Sequence, residues 1–378
     1  MNVEQALPAI AAYRLKGSAA PPIEWDNPNA EALWHRCAAE RLSGLLIATL
    51  SDADCGPDDF EGWSSALEHL ATSRVGLLVD LERHAAQLVA HLDAAGVPAA
   101  IVKGVAIARS AYPHHWWRDF GDIDLLVPAV QFRQAVQTLG DLGIQPIVAP
   151  PSKRAMQYIG KGLTLRHPIG FEIDLHHTLL SRSQGLGRGW ECWMADSTSV
   201  PVAGTDVLTT GPAVTLVHML AHLCIGGQAN ALHHIARDAA QLLGRVPPES
   251  ATAVDAQRLI SRLGLDGLME VGIDRSRDLL VWDGGAWRSW REGRSVPASW
   301  TEVAARHDEE SEFSAVAAEA LRRAPTIGAR LVLAGAMLWP ASAHLRDRGL
   351  TRREHLVRLA RGATRASRLL RRGEPFEG

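Results

Sequence analysis

Cysteine is scarce in this 378-residue chain. Cys37, Cys55, Cys192 and Cys224 are the four present, and none stand in C-x-x-C spacing. That argues against a disulfide framework or a Cys-rich zinc site and fits a reducing cytosol. Long apolar runs are also missing. The longest, "LVLAGAMLW" at 331–339, has nine residues, whereas a membrane-spanning helix needs about 20. The opening "MNVEQALPAIAAYRLKG" has neither a basic start nor a sustained apolar stretch, so no signal peptide is expected. These absences predict a soluble, cytoplasmic protein. There is no internal repeat and no long low-complexity segment. Nor is there a strong charge excess: 39 basic against 42 acidic residues leave −3, so nucleic acid is not a favoured partner.

What is present reads as globular. The chain is 47% hydrophobic and 21% charged, ordinary values for a folded protein. Its length exceeds one compact core and predicts two or three domains. The charge is unevenly spread. Residues 341–378 carry ten Arg and four acids, or +6, which leaves −9 for the rest of the chain. The basic tail "TRREHLVRLARGATRASRLLRR" predicts an amphipathic helix. It is either a solvated face or a dock for an anionic partner.

Helical spacing dominates the first 80 residues, with Asn29 as a candidate cap and a break at "GPDDF". The pattern then alternates. A long amphipathic helix stops at Gly96 and Pro98, and "PAAIVKG" follows as a short strand. Next come a helix, "VAIARSAY", a loop, "PHHWWRDFG", and a strand, "DIDLLVP". After the helix "AVQFRQAVQTLGDLG" comes a weak strand, "QPIVA". Two further strands flank a Pro-Ile-Gly turn in "LTLRHPIGFEIDLHHTLL". From about 205 helices return. The expected architecture is a mixed α/β core between two helical segments.

The chemistry concentrates in "RDFGDIDLLVP". Strand side chains alternate faces, so Asp122 and Asp124 share one face. In "GFEIDLHH", Glu172, Asp174 and His176 likewise share a face. If those strands are neighbours, three or four carboxylates converge. Such a cluster repels itself unless a cation lies within it. Mg²⁺, held by one or two carboxylates plus phosphate oxygens, is the natural occupant, with Mn²⁺ as the substitute. Two such ions can hold both the attacking and the leaving oxygen of a phosphoryl or nucleotidyl transfer. Lys103-Gly104, at a strand end where a helix begins, forms a candidate anion cradle. Arg118 is a second candidate for triphosphate charge.

The ordered set "IVKGVAIARSAYP…WRDFGDIDLLVP…FEIDLHHTLL" resembles the bacterial nucleotidyltransferase-like family of the DNA polymerase β-type nucleotidyltransferase superfamily. The resemblance is strong over about 98–180 and weaker beyond. It implies an α+β fold: a small mixed-sheet core at 79–203, N-terminal helices at 1–78 and a C-terminal helical domain at 204–378. It further implies Mg²⁺-dependent transfer of a nucleoside monophosphate from an NTP, with ATP the first expectation, and pyrophosphate released. The acceptor would be a hydroxyl on a small molecule, peptide or protein. Asp122, Asp124 and Asp174 would be the catalytic carboxylates and metal ligands. Lys103, Gly104 and Arg118 would hold the nucleotide, and Glu172 would be an accessory. The chain departs from the superfamily in one respect. Val105 follows Gly104 where a serine is usual, which leaves open a nucleotide-sensing or partner-binding protein with weak turnover.

The histidines offer a third reading, a metal-dependent hydrolase built on His176, His218 and His222 with Asp174. His218 and His222 lie i, i+4 on one helix face, a chelating spacing, but no Glu follows His218. Core hydrogen bonding explains them as well. His234 and Asp238, also i, i+4, read as a structural contact. Trp116 and Trp117 read as packing residues.

Overall fold

The computed structural model describes residues 3–16, 30–52, 60–149, 161–180, 188–226, 232–280, 282–296 and 326–360, with the single positions Ser18, Ser152 and Leu321. Asn29, the 56–59 break and the basic tail beyond residue 360 lie outside the described residues.

In chain order the first elements are α1 (Val3–Ala11), α2 (Ala30–Ala39), α3 (Ser43–Leu50) and α4 (Phe60–Ala94). Then come β1 (Ala100–Val102), α5 (Gly104–Ala111), a 3₁₀ turn (His115–Trp117), β2 (Asp122–Leu126) and α6 (Phe132–Asp141). They are followed by β3 (Gln145–Pro146), β4 (Gly162–Arg166), β5 (Glu172–His176), α7 (Trp190–Trp193), β6 (Thr198–Val202) and β7 (Thr205–Thr209). The helical remainder is α8 (Pro212–Ala221), a π turn (His222–Gly226), α9 (Leu232–Arg245), α10 (Ala251–Leu263), α11 (Leu268–Leu280) and α12 (Trp287–Arg291). Beyond it lie α13 (Ile327–Leu338) and α14 (Ser342–Asp347), and residues 352–360 are helical.

The expected α+β architecture is present: one mixed sheet with helices before, within and after it. Its seven strands run in the order β3-β4-β5-β2-β1-β7-β6. Two of them, β6 and β7, correct the sequence reading, which placed no strands there. They form an antiparallel hairpin with Val200 opposite Val207. Its turn residues Ala203 and Gly204 both take positive φ, 49° and 81°, as tight hairpin turns require. Pro201 hid this strand, because proline is a poor sign of one except at a sheet edge. β6 is an edge strand, where a missing N–H costs nothing.

The chain divides into two compact units. The first comprises residues 1–87, 101–123 and 196–301, and the second 88–100, 124–195 and 302–378. In the first, α8 is the core: Ala213 through Ala221 are all buried. Amphipathic α9, α10 and α11 pack around it. Gly272 of α11 sits so close to Leu220 of α8 that an added Cβ would come 2.4 Å from the Leu220 side chain. Arg237 of α9, wholly buried, donates to the carbonyls of Ala11 and Tyr13 and so anchors the end of α1.

In the second unit β4 and β5 pair antiparallel, Thr164 opposite Asp174 and Gly162 opposite His176. Ile173 and Leu175 turn to the apolar side and are completely buried. Alternation therefore sends Asp174 and His176 to the other face. α6 buries Phe132, Ala135 and Leu139. Ala329, Leu333, Ala336 and Met337 of α13 make a separate small cluster.

Candidate active site

Within the second unit, Asp124 of β2 and Asp174 and His176 of β5 bring one ligand atom each to within 4.8 Å of one another. Strands β2 and β5 are neighbours in the sheet, which is the condition the sequence argument set. His176 Nε2 lies 2.9 Å from Asp124 Oδ1. Asp174 Oδ1 accepts a 2.7 Å hydrogen bond from the Thr164 hydroxyl directly across the strand pair. Asp124 and His176 are buried and Asp174 is half-buried. A buried carboxylate beside a second carboxylate is costly without a cation or proton. Two oxygens and an imidazole nitrogen at this spacing can hold a divalent ion; the two carboxylates are the part of the set that suits Mg²⁺, and the imidazole is not.

Glu172, the accessory candidate, lies outside this group. It faces Arg166 across the strand pair, 2.7 Å from its Nη2, and both side chains are largely exposed. His218 is buried on α8 and His222 opens the π turn, with ring centroids 6.5 Å apart. Neither belongs to the Asp124–Asp174–His176 group.

The remaining candidates lie in the first unit. Lys103 caps α5 with φ 48° and ψ −120°, a conformation ordinarily left to glycine. Such strain costs of order 1–3 kcal/mol and concentrates at functional sites. Gly104 follows, buried, because a Cβ there would lie 3.1 Å from Phe120 Cβ. Val105 is buried too. Arg118 is enclosed and its charge is met: Nε contacts both Asp238 carboxylate oxygens at 3.0 Å, and Nη2 donates to Oδ2 at 2.8 Å. Burial alone would pull its pKa down, but the charge and hydrogen bonds of Asp238 win and raise it. Tyr112 donates to the same carboxylate at 2.8 Å. Its own pKa rises well above the usual phenol value, through burial first and then the Asp238 charge. Asp238 is therefore an anchor for Arg118 and Tyr112.

Four positions in this region escaped sequence reasoning. Asp119 is buried and accepts from the Ser43 backbone N–H at 2.9 Å, with Arg74 Nε 3.3 Å away. Arg74 also donates to the Phe120 carbonyl at 2.9 Å. Arg41 reaches Asp122 at 3.4 Å. Gly44 of α3 lies so close to the loop that a Cβ would fall 2.0 Å from the Trp116 carbonyl oxygen. Trp117, buried as expected, packs against Tyr13 with ring centroids 5.3 Å apart. The N-terminal helices thus clamp the loop that leads into Asp122. These contacts join residues tens of positions apart, so local periodicity carries no sign of them.

A family described as uncharacterised nucleotidyltransferase matches residues 26–266, more than half of the chain, and the chain belongs to it. No curated protein matches the sequence. Solved structures similar over part of the chain include the antibiotic-resistance factor ANT(2'')-Ia, at 17% identity and TM-score 0.35, over 50% of this chain and 93% of that one. Another is an antigenic nucleotidyltransferase-like protein from Paracoccidioides brasiliensis, at 16% identity and TM-score 0.30, over 48% of this chain and 86% of that one. Among the described residues, no helix is long and apolar enough to cross a membrane.

Proposed function

We propose that this protein transfers a nucleoside monophosphate from an NTP, ATP first, to a hydroxyl of a small-molecule, peptide or protein acceptor in the cytoplasm. The observation that carries the reading is the meeting of Asp124, Asp174 and His176 on one face of adjoining strands. Mg²⁺ or Mn²⁺ held there would neutralise charge on the triphosphate and on the attacking oxygen. Asp124 and Asp174 supply ligand oxygens, joined by Asp122 two residues up the same strand. Thr164 keeps Asp174 turned toward the site through its 2.7 Å hydrogen bond.

Asp174 also takes the acceptor's proton. The acceptor oxygen then bonds to the α-phosphorus, the bond to the β-phosphate oxygen breaks, and pyrophosphate leaves. Lys103 and the first amides of α5 hold phosphate oxygens. Arg118 acts at one remove: bound to Asp238, it fixes the loop that presents Asp122. The basic tail is the segment we assign to an anionic partner.

Pyrophosphate release is the direct test, with each of the four NTPs, Mg²⁺ or Mn²⁺, and candidate acceptors. Release should vanish in Asp124→Ala and in Asp174→Ala. Release that persists in both variants rules the reading out. A second reading, nucleotide binding without turnover, is favoured by Val105, which is buried and offers no hydroxyl to a phosphate. Calorimetric binding of NTP with Mg²⁺ but no pyrophosphate would select it.

A further inference from the structure

Arg41 occupies a backbone position that ordinarily belongs to glycine. Helix α2 ends in a paired-hydrogen-bond turn: the Arg41 N–H bonds to the Ala38 carbonyl at 3.1 Å, and the Leu42 N–H to the Cys37 carbonyl at 2.7 Å. The residue at the point of that turn must adopt positive φ, and glycine does so without cost. Arg41 sits there at φ 56°. A long cation at a glycine position asks for a reason beyond ending a helix.

The turn itself is held rigidly. Glu40, one residue earlier, accepts from the His233 backbone N–H at 3.3 Å and pairs with Arg36 at 2.9 Å. Ser43, two residues later, donates its backbone N–H to buried Asp119. The Arg41 side chain then projects to Asp122, with Nη1 3.4 Å from Oδ1, and both groups remain about one-third exposed. Loop and turn are already joined by Ser43, Arg74 and the Gly44 approach. The solvent-open Arg41–Asp122 contact adds little to that clamp, because exposed ion pairs contribute weakly. It does place a partly exposed guanidinium at the carboxylate that opens β2.

We propose that Arg41 is a polyphosphate-binding residue. It pairs with Asp122, and with a divalent ion held at Asp122 it would turn to the β- and γ-phosphate oxygens. The inference rests on the metal-dependent reading above. A guanidinium suits this exchange, since it pairs with either a carboxylate or a phosphate through two parallel N–H donors.

Arg41→Gly is the informative variant because it removes the cation while relieving the backbone. Three readouts are needed: Mn²⁺ binding by electron paramagnetic resonance, binding of a non-hydrolysable ATP analogue in the presence of Mn²⁺, and the melting temperature. Mn²⁺ alone should bind a few-fold more tightly, because Asp122 has lost its competitor. The analogue should bind about tenfold more weakly, the scale of one charged hydrogen-bonded contact. The melting temperature should hold or rise. Arg41→Lys should recover part of the analogue affinity. If Mn²⁺ binds and Arg41→Gly moves neither affinity, the inference falls and the metal-dependent function stands. If Arg41→Gly lowers the melting temperature and both affinities together, Arg41 is a structural clamp and the inference falls. If Mn²⁺ does not bind the wild-type protein, the function and the inference fall together.

Discussion

Replacing Asp238 by alanine should cost more stability than any nearby surface change, and the contacts show why. The carboxylate is fully buried and accepts three close approaches from Arg118 and one from Tyr112. Removing it strands a guanidinium that is itself 4% exposed. Breaking one side of a buried ion pair costs about 3–5 kcal/mol. The orphaned Tyr112 hydroxyl adds about 1 kcal/mol. Against a typical total of about 5–15 kcal/mol, that loss is a large share. Urea unfolding followed by circular dichroism would measure it. Hydrogen exchange at residues 115–122 should accelerate as well, because Arg118 fixes that loop. The double variant Arg118→Met, Asp238→Leu provides the control: with no unpaired charge left, much of the loss should return. An Asp238→Ala midpoint corresponding to less than about 1 kcal/mol, or a double variant as unstable as the single, would refute the argument.

Two further expectations concern other parts of the molecule. Gly162→Ala would put a methyl group 2.0 Å from the Leu175 carbonyl oxygen, which forces β4 away from β5. A loss of about 1–3 kcal/mol should come with weaker Mn²⁺ binding, since Asp174 rides on β5; a fully stable variant with unaltered Mn²⁺ affinity counts against that packing. The raised pKa of Tyr112 makes its neutral form a native-state feature. Its contribution is therefore complete below the unfolded phenol value near 10 and is lost as pH climbs through the higher folded value. Stability curves for wild type and Tyr112→Phe should run parallel, with the wild type higher, below about pH 10 and should approach one another above it; identical slopes above about pH 10 would contradict the assignment.

Much of the core was legible because it follows local rules. The β1–α5–β2 order, the two strands around Pro168–Gly170, and the shared face of Asp174 and His176 all follow from alternation and from glycine and proline punctuation. What escaped notice depended on tertiary pairing. Glu172 obeys the same alternation as Asp174, yet its cross-strand partner Arg166 holds it at the exposed end. Arg118 looked like a free phosphate ligand because its partner lies 120 residues away. Arg41 and Arg74 sit in helical sequence with nothing to mark them, and their targets Asp122 and Phe120 lie 81 and 46 residues on. The β6–β7 hairpin was hidden by a proline that only an edge strand tolerates.

The clamp around the loop before Asp122 also sets an order of assembly. Its parts come from α2–α3, from α4, from the loop itself and from α9, and the contact to Asp238 spans 120 residues of chain. During synthesis the N-terminal helices and the loop emerge long before α9 does. Until Asp238 appears, Arg118 lacks the carboxylate that holds it, and burying it would be costly. The region can therefore close only late, after a long loop has been gathered in. A nascent chain arrested before α9 should keep residues 115–122 open to protease, and one arrested well past it should protect them.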